Sequence, residues 1–316
     1  MHTKIVYTLV SDNTDTYLEQ ALLSVYSLRM YNPDVVVLLV IDQETSRTIS
    51  GSRAEIKKYI TDLVEVEVPL EYSKVQKSRY LKTNLRKFVK GDFLFIDCDT
   101  IICDSLAEID EVDADIAMVA DLNGDLLLKD PNTLQKYRDA GFGEAIDLPY
   151  FNSGVIYAKD TSSVHEFYAD WYTNWCKSDS NGVKYDQPAL CMTNADNGLM
   201  IKELAGVWNC QFKMEGSRYL REAKIMHYYS NNGQKEHFFT LPMDMLYQQV
   251  REEGITPLID KLIRHAKTDL YAVMTVNNKQ YMNFFNSHSL YLYTNRPALY
   301  EIMEKIGEML EKIMYR

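Results

Sequence analysis

Short apolar segments alternate with amphipathic segments through the first third of this 316-residue chain. Segments 4–10 and 35–41 are rich in β-branched residues, whereas segment 16–31 places apolar side chains at helical spacing. This alternation is typical of parallel α/β sheets, in which a helix connects one strand to the next. We therefore expect an α/β fold with a mainly parallel central sheet flanked by helices.

The same reasoning predicts the elements that follow. We expect helices over 73–88 and 161–174, separated by strands and by a loop region over 123–149. At the C-terminal end, segment 297–313 has one apolar stripe at helical spacing, formed by Leu299, Ile302, Ile306, Met309 and Ile313. Such a stripe packs on a core, forms a dimer contact or lies on a membrane surface, and its several glutamates favour the first two.

The most informative junction is the apolar segment Phe93–Ile96, which leads directly into Asp97-Cys98-Asp99. Ligands of open α/β sheets bind outside the carboxyl ends of the strands. Two carboxylates at such an end suit Mg²⁺ or Mn²⁺, with phosphate oxygens completing the coordination. A second apolar segment, Ile116–Ala120, delivers Asp121 in the same way.

Other interpretations of the two aspartates stay open. One is a solvated turn without a ligand. Another is a haloacid-dehalogenase-like phosphatase, although that motif usually has glycine after its second aspartate and Thr100 stands here. A nucleotidyltransferase would carry a glycine-rich basic loop near the N-terminus, which segment 9–15 is not. A non-catalytic nucleotide-sugar-binding protein would tolerate every feature seen.

Composition and charge exclude further classes. The net charge of −11 argues against nucleic acid as a partner, because phosphate backbones are held by a surplus of Lys and Arg. The N-terminal apolar run ends at Ser11, so it is too short for a signal-peptide core or a membrane span. The five cysteines are odd in number and lack paired spacing, so we expect a reduced, cytoplasmic protein.

Several segments accompany the aspartates in one order: SRYLKTNLRKFV, YFNSGVIYAK, KYDQPAL, VWNCQF and IMHYYSNNG. As an ordered set they resemble the family 8 retaining glycosyltransferases and their bacterial relatives, over roughly residues 4–239. The resemblance implies a GT-A (Rossmann-like) catalytic domain over 1–255 with a mixed, mainly parallel sheet, followed by a helical C-terminal extension over 256–316. It implies transfer of a hexosyl group from a nucleotide sugar, expected to be a UDP-sugar, to a hydroxyl of a glycan, lipid-linked or protein acceptor.

The resemblance also implies a metal site of Asp97, Asp99 and His227, which would hold Mn²⁺ or Mg²⁺ against the donor's diphosphate. A divalent ion there would neutralise charge on the departing diphosphate. Without the aspartates, an isolated histidine after a strand is more often structural. Retention of anomeric configuration follows from the resemblance alone.

The residues implied to contact the donor fall into four groups. Those near the base and ribose are Thr8, Ser11, Asp12 and Asn13. Those near the diphosphate are Asp97, Gly233 and Lys235, and Arg79 and Cys98 are expected to contact the donor without a more specific position. Those near the transferred sugar are Asp121, Asn152, Ser153 and Gly154. Those beneath the reacting face of the sugar are Asp186 and Gln187, which with Asn152 are the expected catalytic residues.

Most of these residues also have a structural interpretation. Segment 11–13 is a good turn and helix cap, Arg79 could form a surface salt bridge, and Gln187-Pro188 could simply begin a helix. The family usually follows its late histidine with glycine and then Lys-Pro-Trp, whereas this chain continues HYYSNNGQKEHFF, which leaves the register of Gly233 and Lys235 open. Trp208 and Asn209 are expected to shape the acceptor side or to pack.

Overall fold

The computed structural model describes residues 1–144, 147–211, 215–228, 243–267, 292 and 296–314. The strands are β1 (Lys4–Leu9), β2 (Val37–Asp42), β3 (Asp62–Val66), β4 (Phe93–Ile96), β5 (Thr100–Ile102), β6 (Ile116–Ala120), β7 (Phe151–Ala158), β8 (Ile201–Glu203) and β9 (Ile225–His227). The helices are α1 (Tyr17–Tyr31), α2 (Gln43–Thr48), α3 (Lys74–Thr83), α4 (Leu85–Phe88), α5 (Pro131–Asp139), α6 (Ser162–Ser180), α7 (Gln187–Asp196), α8 (Met243–Glu253), α9 (Pro257–Arg264) and α10 (Pro297–Met314). Short 3₁₀ helices include Gly51–Lys58, Gly206–Asn209 and Glu215–Glu222.

Seven strands form one central sheet in the order β3-β2-β1-β4-β7-β6-β8. Neighbouring strands are parallel except at β7, which is antiparallel to both β4 and β6. Strands β5 and β9 pair antiparallel as a separate ribbon. The predicted mixed, mainly parallel sheet is confirmed.

Both faces of the central sheet are buried. Side chains alternate along a strand, so Ile5 and Tyr7 of β1 belong to one core layer with α1. Val6 belongs to the other layer, with Leu81 of α3 and Trp171 of α6. Burial on both faces explains why the central strands are apolar throughout rather than alternating apolar with polar residues.

Two predicted helices differ in extent from the structure. The helix expected over 73–88 is interrupted at Asn84, whose φ of −107° and ψ of 13° end α3 before α4 begins. The helix expected over 161–174 continues to Ser180 as α6. Its later turns carry the buried side chains of Trp175 and Ser178, which extend its contact with the core.

The loop expected over 123–149 contains a helix, α5, that the sequence pattern missed. Tyr137 is the one buried side chain in α5, so no apolar stripe marks the helix. Its start does follow the capping rules: Asp130 accepts a hydrogen bond from the Thr133 N–H, and Pro131 occupies the first turn.

Helix α9, within the predicted C-terminal extension, packs on the core of the sheet. Ile259 and Ile263 of α9 are buried in the same core layer as α1, and Tyr26 Oη donates to Asp260 Oδ1 at 2.5 Å. In α10 the predicted apolar stripe is exposed, with Ile302 and Met309 at 55% and 58%, so core packing of the stripe is not observed. The side chain of Ile313 lies outside the described residues. Among the described helices, none combines the length and apolar character needed to cross a membrane.

Candidate active site

The turn that follows β4 is held by hydrogen bonds from neighbouring elements. The Asp97 N–H donates to the Gly154 carbonyl at 2.8 Å, which ties the turn to β7. Thr100 Oγ1 donates to the Asp97 carbonyl at 2.9 Å and lies 2.7 Å from Ser24 Oγ of α1. Ser24 Oγ in turn lies 3.0 Å from Tyr7 Oη of β1. The chain of buried hydroxyls ties the turn to α1 and β1.

The β5–β9 ribbon brings His227 to this turn. Thr100 pairs with His227, and the Tyr228 N–H donates to the Asp99 carbonyl at 3.1 Å. His227 Nε2 therefore lies 3.2 Å from Asp99 Oδ1. One ligand atom each from Asp97, Asp99 and His227 lie within 4.8 Å of one another.

This donor set fits a divalent metal ion, because carboxylate oxygens with one imidazole nitrogen suit Mn²⁺, and the oxygens suit Mg²⁺. Asn209 Oδ1 lies 3.0 Å from His227 Nδ1 and favours the tautomer with a proton on Nδ1. Nε2, the usual coordinating atom in that tautomer, faces the carboxylates. Asn209, expected only to pack or shape the acceptor side, thus contacts a predicted metal ligand.

Gly154 leaves the space that the His227 ring occupies. A Cβ atom on Gly154 would lie 2.4 Å from His227 Cε1 and 2.9 Å from Asn152 Oδ1. Neither contact is tolerable without movement of the ring or of the asparagine. The glycine therefore makes room for the site's own histidine, and the close approach of Gly154 to the donor, implied by the resemblance, stays a prediction.

Asp186 lies at the centre of a buried cluster of charges. Arg79 Nε is 3.0 Å from Asp186 Oδ1, Ser153 Oγ donates to Asp186 Oδ2 at 2.8 Å, and Lys82 Nζ is 3.6 Å from that oxygen. Burial opposes ionisation, but the charges of Arg79 and Lys82 outweigh it and lower the pKa of Asp186 to about 2. The side chain of Arg79 is 26% exposed and thus pairs with a buried carboxylate rather than with one on the surface, and Asp186 is ionised at neutral pH.

Lys82 was not singled out from the sequence. Its ammonium lies 2.9 Å from Asp97 Oδ1, and it donates to the Ser153 carbonyl at 3.1 Å. The signal available in the sequence was spacing: Lys82 stands three residues after Arg79 on α3, so the two side chains share one face of the helix. Segment 73–88 contains many basic residues, so Lys82 could not be told apart from the others by sequence alone.

Asp121 and Asn152 meet beside the cluster. Asn152 Nδ2 donates to Asp121 Oδ1 at 3.0 Å, and Asn209 Nδ2 donates to Asn152 Oδ1 at 2.8 Å. Burial raises the pKa of Asp121, although hydrogen bonds from Asn152 and Gln187 act in the opposite direction. Gln187 Nε2 also donates to the Phe151 carbonyl at 3.2 Å. The predicted sugar-facing residues are thus brought together.

The backbone beyond β6 is strained where it leaves Asp121. Leu122 and Asn123 have φ values of 58° and 54°, in the left-handed region that non-glycine residues seldom adopt. Gln211 holds them there, because its Oε1 accepts from the Leu122 N–H at 2.7 Å and its N–H donates to Asn123 Oδ1 at 2.7 Å. The strain is therefore compensated by buried hydrogen bonds, and it sets the direction of the chain after Asp121.

The loop after β1 forms the expected turn. Ser11 is buried and its Oγ donates to Asp15 Oδ1 at 2.6 Å, while Arg53 Nη1 donates to Asn13 Oδ1 at 3.1 Å. Lys74 and Thr14 lower the pKa of Asp12, which faces solvent. The structure thus supports the turn interpretation of 11–13, and the predicted contact with base and ribose stays a prediction.

Thr8 and Cys98 meet where β1 and β4 end, since Cys98 Sγ donates to the Thr8 carbonyl at 3.4 Å. Burial, followed by the charges of Asp97 and Asp99, raises the pKa of Cys98 and keeps the thiol protonated. The predicted diphosphate ligands Gly233 and Lys235 lie outside the described residues.

The sequence model of the glycosyl transferase family 8 matches residues 8–235, well over half of the chain. The chain belongs to glycosyl transferase family 8. Membership in this family makes the protein a glycosyltransferase and confirms the resemblance inferred from its ordered segments. A comparison with curated proteins gave no match.

Solved structures support the GT-A fold of this family 8 protein. The bifunctional glycosyltransferase WbbM, in its apo form, is similar at a TM-score of 0.53 and 14% identity, over 82% of this chain and 51% of that one. GlyE of Streptococcus pneumoniae TIGR4 is similar at a TM-score of 0.50 and 17% identity, over 83% of this chain and 63% of that one. This chain therefore spans about half to two thirds of the length of these two relatives.

Proposed function

We propose that this glycosyltransferase binds a UDP-sugar together with Mn²⁺ or Mg²⁺ and transfers the hexosyl group to a hydroxyl with retention of configuration. The observation that carries the proposal is the convergence of Asp97, Asp99 and His227 within 4.8 Å at the carboxyl end of β4. Asn209 directs the His227 nitrogen toward the two carboxylates. Membership in family 8 supports retention.

The residues around that centre have separable roles. A bound divalent ion supplies charge neutralisation at the departing diphosphate. Asp121 and Asn152, joined by a hydrogen bond, would orient hydroxyls of the transferred sugar, and Gln187 stands beside them. Asp186 is held ionised by Arg79 and Lys82, so it presents a fixed negative charge near the reacting face.

The proposed partners are a nucleotide-sugar donor and a glycan, lipid-linked or protein acceptor. The strong negative net charge supports the absence of nucleic acid among them. The exposed apolar stripe of α10 is compatible with the predicted dimer contact or peripheral membrane contact. Cytoplasmic localisation rests on the cysteine pattern and stays a proposal.

Calorimetric titration of UDP tests the donor site. Wild type is expected to bind UDP with Mn²⁺ and to lose most of that binding without it. The variant Asp97→Ala/Asp99→Ala is expected to bind UDP weakly under both conditions. Asp125→Ala/Asp139→Ala is the matched control, because it removes the same charge from exposed positions outside the site.

The outcome that would overturn the proposal is UDP binding by wild type that is unaffected by metal, or no binding at all. Metal-dependent binding justifies a screen of UDP-sugars for hydrolysis and transfer. Family membership argues against the phosphatase and nucleotidyltransferase interpretations, and a phosphatase would leave His227 without a role. A failed titration should nevertheless be followed by phosphatase substrates and by other nucleotides.

A further inference from the structure

Lys82 is a buried cation that lies close to both Asp97 of the proposed metal site and Asp186 of the neighbouring charge cluster. Its side chain is 2% exposed, and Nζ lies 2.9 and 3.2 Å from the two carboxylate oxygens of Asp97. The same nitrogen lies 3.1 Å from the Ser153 carbonyl and 3.6 Å from Asp186 Oδ2. An ammonium has three donors, so these partners account for all of them.

The position of this charge is fixed by its surroundings. The stem of Lys82 is buried in α3, and Nζ lies 4.8 Å from the centre of the Phe95 ring on β4. Asp186 is itself held by Arg79 and Ser153. Lys82 therefore cannot move away from this position without depriving the buried carboxylate of Asp186 of one of its charged partners, which is costly.

The balance of charge in the cluster depends on Lys82. Lys82 faces Asp97, a predicted metal ligand, and its ammonium offsets part of the negative charge that would attract a metal ion. A divalent ion bound at Asp97 would lie close to this fixed ammonium, and the two like charges repel each other. The diphosphate of a nucleotide brings negative charge that offsets this repulsion.

We propose that Lys82 is a positioning residue that makes binding of the divalent ion depend on the nucleotide diphosphate, an inference that rests on the proposed function. The ammonium of Lys82 engages both carboxylate oxygens of Asp97 and repels an ion that arrives without a diphosphate. Coupling of this kind is reciprocal, so the metal strengthens nucleotide binding by the same factor. The enzyme then takes up metal and donor together.

Titration of MnCl₂ into the protein without nucleotide tests the proposal directly. Lys82→Met keeps the length of the side chain and removes the charge, and it is expected to bind Mn²⁺ alone at least about tenfold more tightly than wild type. The factor by which UDP strengthens Mn²⁺ binding is expected to fall by about tenfold in this variant. Lys82→Arg, which keeps the charge, should retain most of the wild-type coupling.

Lys77→Met is the matched control. Lys77 is also buried on α3, but it pairs with Asp42 and Glu44 rather than with the cluster. This variant should bind Mn²⁺ alone with the wild-type affinity. A similar gain in both methionine variants would point to a general effect of losing a buried lysine and would overturn the proposal.

The outcomes separate this proposal from the proposed function. If wild type binds UDP with Mn²⁺ but Lys82→Met binds Mn²⁺ alone no more tightly than wild type, the role of Lys82 is wrong and the donor site stands. If wild type fails to bind UDP with metal present, the proposed function fails first. If Lys82→Met does not fold, the measurement on wild type still tests the coupling. An increase in Mn²⁺ affinity on addition of UDP of less than about tenfold would contradict it.

Discussion

Asn209 Oδ1 lies 3.0 Å from His227 Nδ1. The amide nitrogen of the same asparagine donates to Asn152 Oδ1, so one side chain links the proposed metal site to the residues proposed to contact the sugar. Partners of this kind fix the tautomer and the orientation of a metal-binding histidine. The site thus depends on an uncharged residue that is not among its predicted metal ligands.

Asn209→Ala is expected to weaken metal binding without unfolding the protein. Loss of the partner of Nδ1 lets the ring rotate and change tautomer, and such changes lower metal affinity by roughly 10- to 100-fold. Calorimetry of Mn²⁺ in the presence of UDP measures the effect. Asn132→Ala, at an exposed position on α5, is the control, and equal affinities for the two variants would contradict the role given to Asn209.

Gly154→Ala is expected to displace His227, because its Cβ would lie 2.4 Å from the ring. We expect loss of Mn²⁺-dependent UDP binding together with destabilisation of about 1–3 kcal/mol, as is usual for overpacking. Binding is read by calorimetry and stability by urea unfolding. Gly124→Ala is the matched control, since its Cβ would meet no atom closer than 3.7 Å. If Gly154→Ala binds Mn²⁺ and UDP as wild type does, the His227 ring does not need the space beside Gly154.

Asp186 should stabilise the folded protein in a pH-dependent way. Its pKa is lowered to about 2 from an ordinary value of 3.8, so its contribution is present above pH 4 and is lost as the pH falls through 2. The shift corresponds to stabilisation on the order of 2 kcal/mol at neutral pH. Urea unfolding of wild type and Asp186→Asn should differ by this order at pH 7, and the difference should shrink below pH 4. Asp125→Asn, at an exposed position, should show no such dependence.

Glu19 should be essential to the loop after β1. Its buried carboxylate lies 2.8 Å from Arg53 Nε and 2.9 Å from Arg251 Nε, and both guanidiniums also donate to the loop backbone. Glu19→Gln would leave two cations with a neutral partner, and breaking a buried pair costs on the order of 3 kcal/mol. We expect that loss in urea unfolding, together with weaker UDP binding. Glu67→Gln removes an exposed charge, and a similar loss there would contradict the assignment.

Several elements were predictable from the sequence because local rules decide them. The strands Phe93–Ile96 and Ile116–Ala120 have the predicted bounds, since continuous apolar runs followed by aspartate mark buried strands and their carboxyl ends. The helix α5 was missed because its one buried side chain produces no stripe, although Asp130 and Pro131 mark its start. Its stability comes from capping and from contact with α7, neither of which appears as hydrophobic periodicity.

The amino-acid sequence by itself determined the mixed α/β sheet, the family, and the delivery of two aspartates to a strand end. Only the tertiary structure decided that Lys82 bridges Asp97 and Asp186 and that Asn209 orients His227. His227 stands 128 positions after Asp99, and the β5–β9 ribbon closes that separation. Hydrophobic pattern and capping are local, so they can be inferred along the chain. Charge pairing depends on distances of a few ångströms in a buried, weakly polar interior, and those distances exist only once the sheet has assembled.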